Sequence, residues 1–175
     1  EAFDVCGYFG EVVRFNLQEE DEVNIEDELE NLRNYFKILE LRFYRQFEYS
    51  ITIPDDIKNF YVLKFLFQPI VENAVQHAFI HHKEKCRIDI LVRKIDGEIV
   101  VIVKDNGDGM TKEKVQEITK YMNDQSNISS NKSIGLKNSN QRIKLLYGER
   151  FGIKIYSKEN KGTSILICIP ACKEK

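Results

Sequence analysis

Four short segments bring together side chains and glycines whose types and spacing could do chemistry. The first is Phe67-Gln-Pro-Ile-Val-Glu-Asn-Ala-Val-Gln-His77. Pro69 is most comfortable in the first turn of a helix, where its missing N–H costs nothing, so the segment predicts a helix from Pro69 to about Ile80. At about 100° per residue, Ile70, Val71, Ala74 and Ala78 cover one side, and Pro69, Glu72, Asn73 and Gln76 cluster on the other. An isolated acid–amide pair on such a ridge is ordinarily solvated surface, so its neighbours must decide whether Glu72 and Asn73 do more. The second segment, Ile99-Val-Val-Ile-Val-Lys-Asp-Asn-Gly-Asp-Gly-Met110, runs from an apolar strand straight into Asp105 and two glycines one residue apart. Gly107 and Gly109 allow a turn at positive φ and let a ligand approach with no Cβ in the way. A carboxylate at the end of a buried strand can accept a hydrogen bond from an exocyclic amine, which separates adenine from guanine; alone, the run also reads as a plain Asn-Gly turn.

The third segment, Ser133-Ile-Gly-Leu-Lys-Asn138, puts Gly135 immediately before a helix whose first N–H groups would suit a phosphate chain. The fourth is Gly162-Thr163-Ser164 at the entrance to the last strand, where a hydroxyl could reach the same pocket as Asp105. Other chemistries fit less well. A calcium loop starting at Asp105 lacks its third-position oxygen, because residue 107 is Gly, and its twelfth residue is Gln116 rather than Glu. No third glycine follows at 112 to complete a dinucleotide fingerprint, and no G-x-x-x-x-G-K-[ST] occurs. The pair His77/His81 has zinc spacing but Ala at 78, without the H-E-x-x-H glutamate.

The elements that must position these segments follow from periodicity. Residues 1 to 46 read as helical: Phe9, Val12, Val13 and Phe15 form a short stripe, an acidic joint spans 18 to 22, and Ile25, Leu29, Leu32, Phe36, Leu39 and Phe43 recur at three and four. Asn24 is placed to cap that second helix. Phe47, Tyr49, Ile51 and Ile53 alternate as a strand, and an αβ domain is expected over 47 to 175. Strands are predicted over 87–94 and 98–104, joined by Asp96-Gly97, and over 152–158 and 163–170. The polar run 121–133 is too biased for a packed element, while 134–147 resumes a helical period that ends at Gly148. The expectation is an α/β (α+β) two-layer sandwich, a five-stranded, mostly antiparallel sheet covered on one face by three helices, with an N-terminal helical extension.

Composition narrows the partners. The 175 residues carry 26 Lys and Arg against 28 Asp and Glu, a formal charge of −2, and 42% hydrophobic residues. Basic residues are spread along the chain, which argues against nucleic acid or an anionic bilayer as partner. No apolar run of about 18 residues and no signal-peptide start occur, so the sequence reads as a soluble domain. Cys6, Cys86, Cys168 and Cys172 form no C-x-x-C pair and read as buried or half-buried thiols.

Taken in order, the run 67–77, then 105–110, then Ile134-Gly-Leu-Lys-Asn-Ser-Asn-Gln-Arg-Ile-Lys-Leu-Leu-Tyr-Gly148, then Gly162-Thr163 resembles the ATP-binding domain of sensor histidine kinases of the LytS/YesM type. That superfamily also holds gyrase, the heat-shock ATPase chaperones and the mismatch-repair ATPases. The resemblance covers about residues 23 to 170 and implies a Bergerat-type ATP-binding fold. It implies Mg²⁺ and ATP as cofactors, Asn73 as the amide that holds Mg²⁺ against the triphosphate, and Glu72 beside it as the first general base to test. Gln76 and His77 would sit along the phosphates and Asp105 would read adenine, with Thr163 sharing its water. Gly107, Gly109 and Met110 would floor the base and ribose; Gly135 and Leu136 would let a lid, about 111 to 133, close. Residues 1–46 would then be the remnant of a dimerisation and phosphoacceptor region.

The sequence departs from the family at three points. Gln76 stands where a basic residue is frequent, Ser133 stands where a glycine motif often begins, and no asparagine- and proline-flanked phosphoacceptor histidine is present. The implied partners are ATP, a phosphoacceptor helix of the same protein, a response regulator and a second copy in a homodimer. The implied setting is the cytoplasmic side of a cell-membrane protein. Two alternatives keep the fold: a serine kinase or ATPase of the same superfamily, and a nucleotide-sensing module that binds without transfer.

Overall fold

In the computed structural model, residues 2–17, 19–42, 47–77, 85–124 and 134–173 are described. The elements run α1 (Ala2–Asn16), β1 (Glu22–Asn24), α2 (Ile25–Arg42), β2 (Phe47–Thr52), β3 (Tyr61–Leu63), α3 (Gln68–His77), β4 (Cys86–Ile95), β5 (Glu98–Asp105), α4 (Lys112–Asn123), α5 (Ile134–Tyr147), β6 (Gly152–Ser157) and β7 (Thr163–Pro170). The main sheet has the order β2-β4-β5-β7-β6, with β2 parallel to β4 and every other pair antiparallel. This is the expected five-stranded mixed sheet. The hairpin between β4 and β5 turns through Asp96 at φ 50° and Gly97 at φ 81°, two left-handed residues that match the twist of the strands they join.

Alternation along the strands assigns the faces. Ile88, Ile90 and Val92 on β4, Ile99, Val101 and Val103 on β5, and Ile165, Ile167 and Ile169 on β7 are buried in one core with Leu29, Leu32 and Phe36 of α2, Ile70 and Val71 of α3, and Ile143 of α5. Each such side chain contributes about 1.5–3 kcal/mol on burial. The stripe on α2 is therefore covered by the sheet domain itself: the Phe36 ring stacks on Tyr49 of β2 with centroids 4.3 Å apart. No helix among the described residues is long and apolar enough to cross a membrane.

The structure departs from the periodicity reading in several places. Glu22–Asn24 pairs antiparallel with Tyr61–Leu63 in a second, two-stranded sheet, where the periodicity reading has a joint and a cap and assigns no strand; three residues are too few to show a period. Asn24 precedes α2, but the N–H groups of Ile25 and Glu26 donate to the Phe60 and Lys58 carbonyls at 2.9 and 3.1 Å, and the Asn24 amide reaches Asp27 Oδ2 at 3.5 Å. Residues 112–123 of the expected lid are a helix that includes Tyr121–Asn123, capped by the Thr111 hydroxyl accepting from the Lys114 N–H at 3.1 Å. Its buried Met122 follows Val115 and Ile118 at helical spacing, a face that the polar composition conceals. Cys6 is exposed, against expectation, while Cys86 is buried and Cys168 and Cys172 are half-buried. Residues 43–46, 78–84 and 125–133, and with them Phe43, Ala78, His81, His82 and Ser133, lie outside the described residues.

Two buried polar side chains join the layers. Asn140 of α5 accepts from the Ile153 N–H at 2.9 Å and donates to the Met122 carbonyl at 3.3 Å, so one amide ties α5, α4 and β6. Glu28 of α2, 1% exposed, accepts from the N–H groups of Phe65 and Phe67 at 3.0 and 3.1 Å, across the turn that leads into α3. Burial, the largest influence, pushes the Glu28 carboxyl up from 4.5 to about 7 despite those bonds and the nearby Arg142.

Two outcomes follow for stability. Because the folded chain holds the Glu28 proton that the unfolded chain releases, the contribution of this group is complete below pH 4.5 and is lost as the pH rises through about 7. Urea denaturation at pH 5, 6 and 7.5 should show that decline in the wild type, and Glu28→Gln should flatten it. Asn140→Ala, which strands the Ile153 N–H in the core, should lower stability by about 2–3 kcal/mol in the same assay.

Candidate functional site

Asp105 ends β5 on the same parity as Val101 and Val103, so its side chain points to the helix-covered face, and it is 5% exposed. Its Oδ1 accepts from the Gly107 N–H at 2.9 Å and the Thr163 N–H at 3.1 Å. Two backbone donors from two elements thus fix the carboxylate at the end of the sheet. Thr163 meets Asp105 through its backbone; its hydroxyl lies 3.0 Å from the Ser157 hydroxyl on β6.

Close backbone approach makes this convergence possible. Gly162 sits at φ 82°, and a Cβ there would lie 2.1 Å from the Asp105 carbonyl oxygen. Gly109 sits at φ 67°, with the Lys158 carbonyl 2.0 Å from where its Cβ would be. Any larger residue at either position collides with backbone, which cannot swing aside. Asn106, which the sequence reading left without a role, accepts from the Arg87 N–H at 2.7 Å and donates to the Lys85 carbonyl at 2.8 Å. It locks the loop onto the start of β4. Met110 is half-buried against the core. Gly109 and Met110 also line a cleft of about 510 Å³ with Asp108, Thr111, Lys114, Glu159 and Asn160.

α3 lies on the helix-covered side of the sheet, next to β5 and α5. Gly135, in the first turn of α5, faces Pro69 in the first turn of α3; a Cβ on it would meet the Pro69 Cβ at 3.8 Å. The starts of the two helices are therefore neighbours. Asn73 is half-buried one turn beyond Pro69, Gln76 is exposed, and His77 is the last residue of α3. Leu136 is in the core, so its side chain belongs to packing and only its backbone is available to a ligand.

Glu72 is half-buried and faces α2. Its Oε1 accepts from Gln68 Nε2 at 2.8 Å, and Gln68 Oε1 accepts from Asn31 Nδ2 at 3.0 Å. Tyr35, one turn beyond Asn31, feels the Glu72 charge: burial first, and that charge second, push its hydroxyl up to about 12. Gln68 and Asn31 were not legible as site residues, because a Gln before a Pro and an Asn amid Leu and Glu carry no signal of their own.

Among the described residues no group of three or more His, Cys, Asp and Glu could cage a metal ion. A hard divalent cation here would take few protein ligands, and the amide oxygen of Asn73 suits an octahedral ion whose other positions are filled by phosphate and water.

Residues 62–173 match the family model described as histidine kinase-, DNA gyrase B-, and HSP90-like ATPase, and residues 1–47 match the one described as histidine kinase. The sensor histidine kinase YesM of Bacillus subtilis is 34% identical over 154 residues, covering 88% of this chain and 25% of that protein. The sensor protein LytS of Bacillus anthracis is 33% identical over 150 residues, covering 85% and 25%. The chain thus spans about a quarter of the length of these relatives. Among solved structures, the catalytic domain of histidine kinase ThkA superposes with a TM-score of 0.63 at 19% identity, covering 90% of this chain and all of that one. The histidine kinase domain of a blue-light activated kinase from Erythrobacter litoralis superposes with a TM-score of 0.52 at 15% identity, covering 85% and 62%. These likenesses bear out the expected fold, and the match over 62–173 shows that the chain belongs to the histidine kinase-, DNA gyrase B- and HSP90-like ATPase family, with sensor histidine kinases of the LytS and YesM type among its relatives.

Proposed function

We propose that this chain binds Mg-ATP and passes the γ-phosphoryl group to a histidine on a segment upstream of it, as the catalytic part of a two-component sensor histidine kinase. The observation that carries the reading is the fixed Asp105 carboxylate, held by two backbone N–H groups on the helix-covered side of the sheet. A carboxylate locked in that way is an acceptor for the adenine amine, and it has nothing to offer the carbonyl that guanine carries at the same position. Gly107, Gly109 and Met110 supply the wall beside it.

In this reading the nucleotide lies between that wall and α3, its phosphates directed toward Asn73, Gln76, His77 and the first turn of α5 at Gly135. Magnesium, held by the Asn73 amide, would neutralise phosphate charge. The chain's own residues do the rest by position: phosphoryl transfer needs alignment and charge stabilisation more than covalent chemistry. Glu72, turned toward α2 rather than toward the sheet, faces the side from which a helix joined to α2 would bring the acceptor; there it would take the imidazole N–H proton as the N–P bond forms and ADP leaves. By the family resemblance we further propose that the whole protein is a membrane-anchored homodimer with this domain on the cytoplasmic side, phosphorylating a response regulator.

Titration calorimetry with Mg-ATP should show binding to this chain, and Asp105→Ala should weaken it by about 2 kcal/mol, close to 30-fold. Undiminished affinity in that variant would remove the adenine assignment. Asn73→Ala should abolish the gain in ATP affinity that Mg²⁺ confers, while leaving metal-free binding within about threefold. With the histidine-bearing upstream segment joined to the chain, acid-labile phosphate should appear on it; bound ATP without labelling would favour a nucleotide-sensing module.

A further inference from the structure

α2 and the entry to α3 run alongside each other with their polar residues in register. Glu28 meets the N–H groups of Phe65 and Phe67, Asn31 meets Gln68, and Tyr35 lies near Glu72. The steps of three and four on α2 keep all three residues on one face, and the step of four from Gln68 to Glu72 does the same on α3. Asn31 is only 3% exposed, so this is an interior seam.

The direction of the hydrogen bonds is dictated from one end. An ionised Glu72 can only accept, so Gln68 must turn its amide nitrogen to it; the Gln68 oxygen then faces Asn31, which must answer with its own nitrogen. That leaves Asn31 Oδ1 buried with no hydrogen-bond partner among the described residues. Packing alone would not favour such an arrangement: an apolar residue of similar size at 31 would fill the space without a stranded oxygen. The chain of amides is explained if its use is to hold the Glu72 carboxylate.

We propose that Asn31 and Gln68 are positioning residues for Glu72, so that α2 sets the direction in which that carboxylate points. The inference rests on the reading of Glu72 as the group that receives the acceptor's proton. A shift or rotation of α2 would then be felt at Glu72 through two hydrogen bonds, with ATP binding at Asp105 untouched.

The test uses the chain joined to its histidine-bearing upstream segment, with Asn31→Leu, Gln68→Met and Glu72→Gln made singly and in combination. Asn31→Leu removes the stranded oxygen, so its thermal midpoint should hold or rise. Its rate of phosphoryl transfer at saturating Mg-ATP should nonetheless fall about tenfold, as should that of Gln68→Met, with ATP affinity by calorimetry within about twofold of the parent. In the Glu72→Gln background either substitution should change the rate by less than about twofold, because the group being positioned has gone. Parental rates in Asn31→Leu and Gln68→Met beside a slow Glu72→Gln overturn the positioning role and leave Glu72 standing. A parental rate in Glu72→Gln overturns the reading of Glu72 and the positioning with it. Losses that persist undiminished in the Glu72→Gln background mark general damage and also overturn the proposal. Should Gln68→Met fail to fold, Asn31→Leu decides alone.

Discussion

The site depends on the contact between the end of β5 and the start of β7, where Asp105 Oδ1 takes hydrogen bonds from the N–H groups of Gly107 and Thr163. A carboxylate at 5% exposure is costly to keep charged unless donors meet it, and here the donors are main chain, which cannot rotate away. The geometry requires the hairpin 158–162 to press against the loop after β5. Glycine at 109 and at 162 is what allows it, since each faces a carbonyl at a distance no side chain tolerates. Asn106 closes the arrangement from the other side by holding the loop to β4. Rigidity at this end of the sheet is thus built from backbone, and the side chains that would touch a ligand are added to it.

The opposite wall is made differently. α3 is attached to the rest of the molecule by its apolar face, through Ile70 and Val71 in the core, and by polar side chains from α2. The turn before it carries Phe65 at φ 59°, a backbone conformation unusual for an aromatic residue. It is held there by the Glu28 carboxylate and by packing: the Phe65 ring meets Phe15 of α1 edge-on at 5.8 Å, and the Lys64 ammonium lies 5.0 Å from the Phe65 centroid and 5.1 Å from that of Phe15. α1 and α2 therefore determine how α3 begins. On the proposed reading, binding of the base and placement of the groups next to the phosphates fall to two walls with separate supports.

Which parts of this were legible in the sequence follows from the range of each signal. The hairpin at Asp96-Gly97, the main strands, α3 and α5 announce themselves within a window of ten residues, and the four motif segments resemble a family closely enough for the expected fold to be found. The short pair β1 and β3 shows no period because each has three residues. α4 was hidden because its apolar face is only Val115, Ile118 and Met122 among polar residues. Glu28 looks like any acid in the first turn of a helix, where charge complements the helix dipole; nothing local says that it is buried against residues 37 and 39 positions away. The Asn31–Gln68 contact, also across 37 positions, is invisible for the same reason.

The two α2 side chains at this seam differ in what they could transmit. Glu28 grips backbone N–H groups, so it moves with the turn and carries displacement of the whole start of α3. Asn31 grips a side chain, Gln68, that itself holds only Glu72, so it can redirect one carboxylate without moving the helix. Because Glu28 and Asn31 lie on one face of α2, a rotation of that helix moves both: it bends the Asn31–Gln68 bond, which weakens steeply below about 120°, and it pulls on the turn at Phe65 through Glu28. One motion would thus be delivered to α3 at two points, the backbone of its entry and the Glu72 carboxylate. A helix fastened to its neighbour only by apolar packing would give no such directed pull, because apolar contacts have no direction.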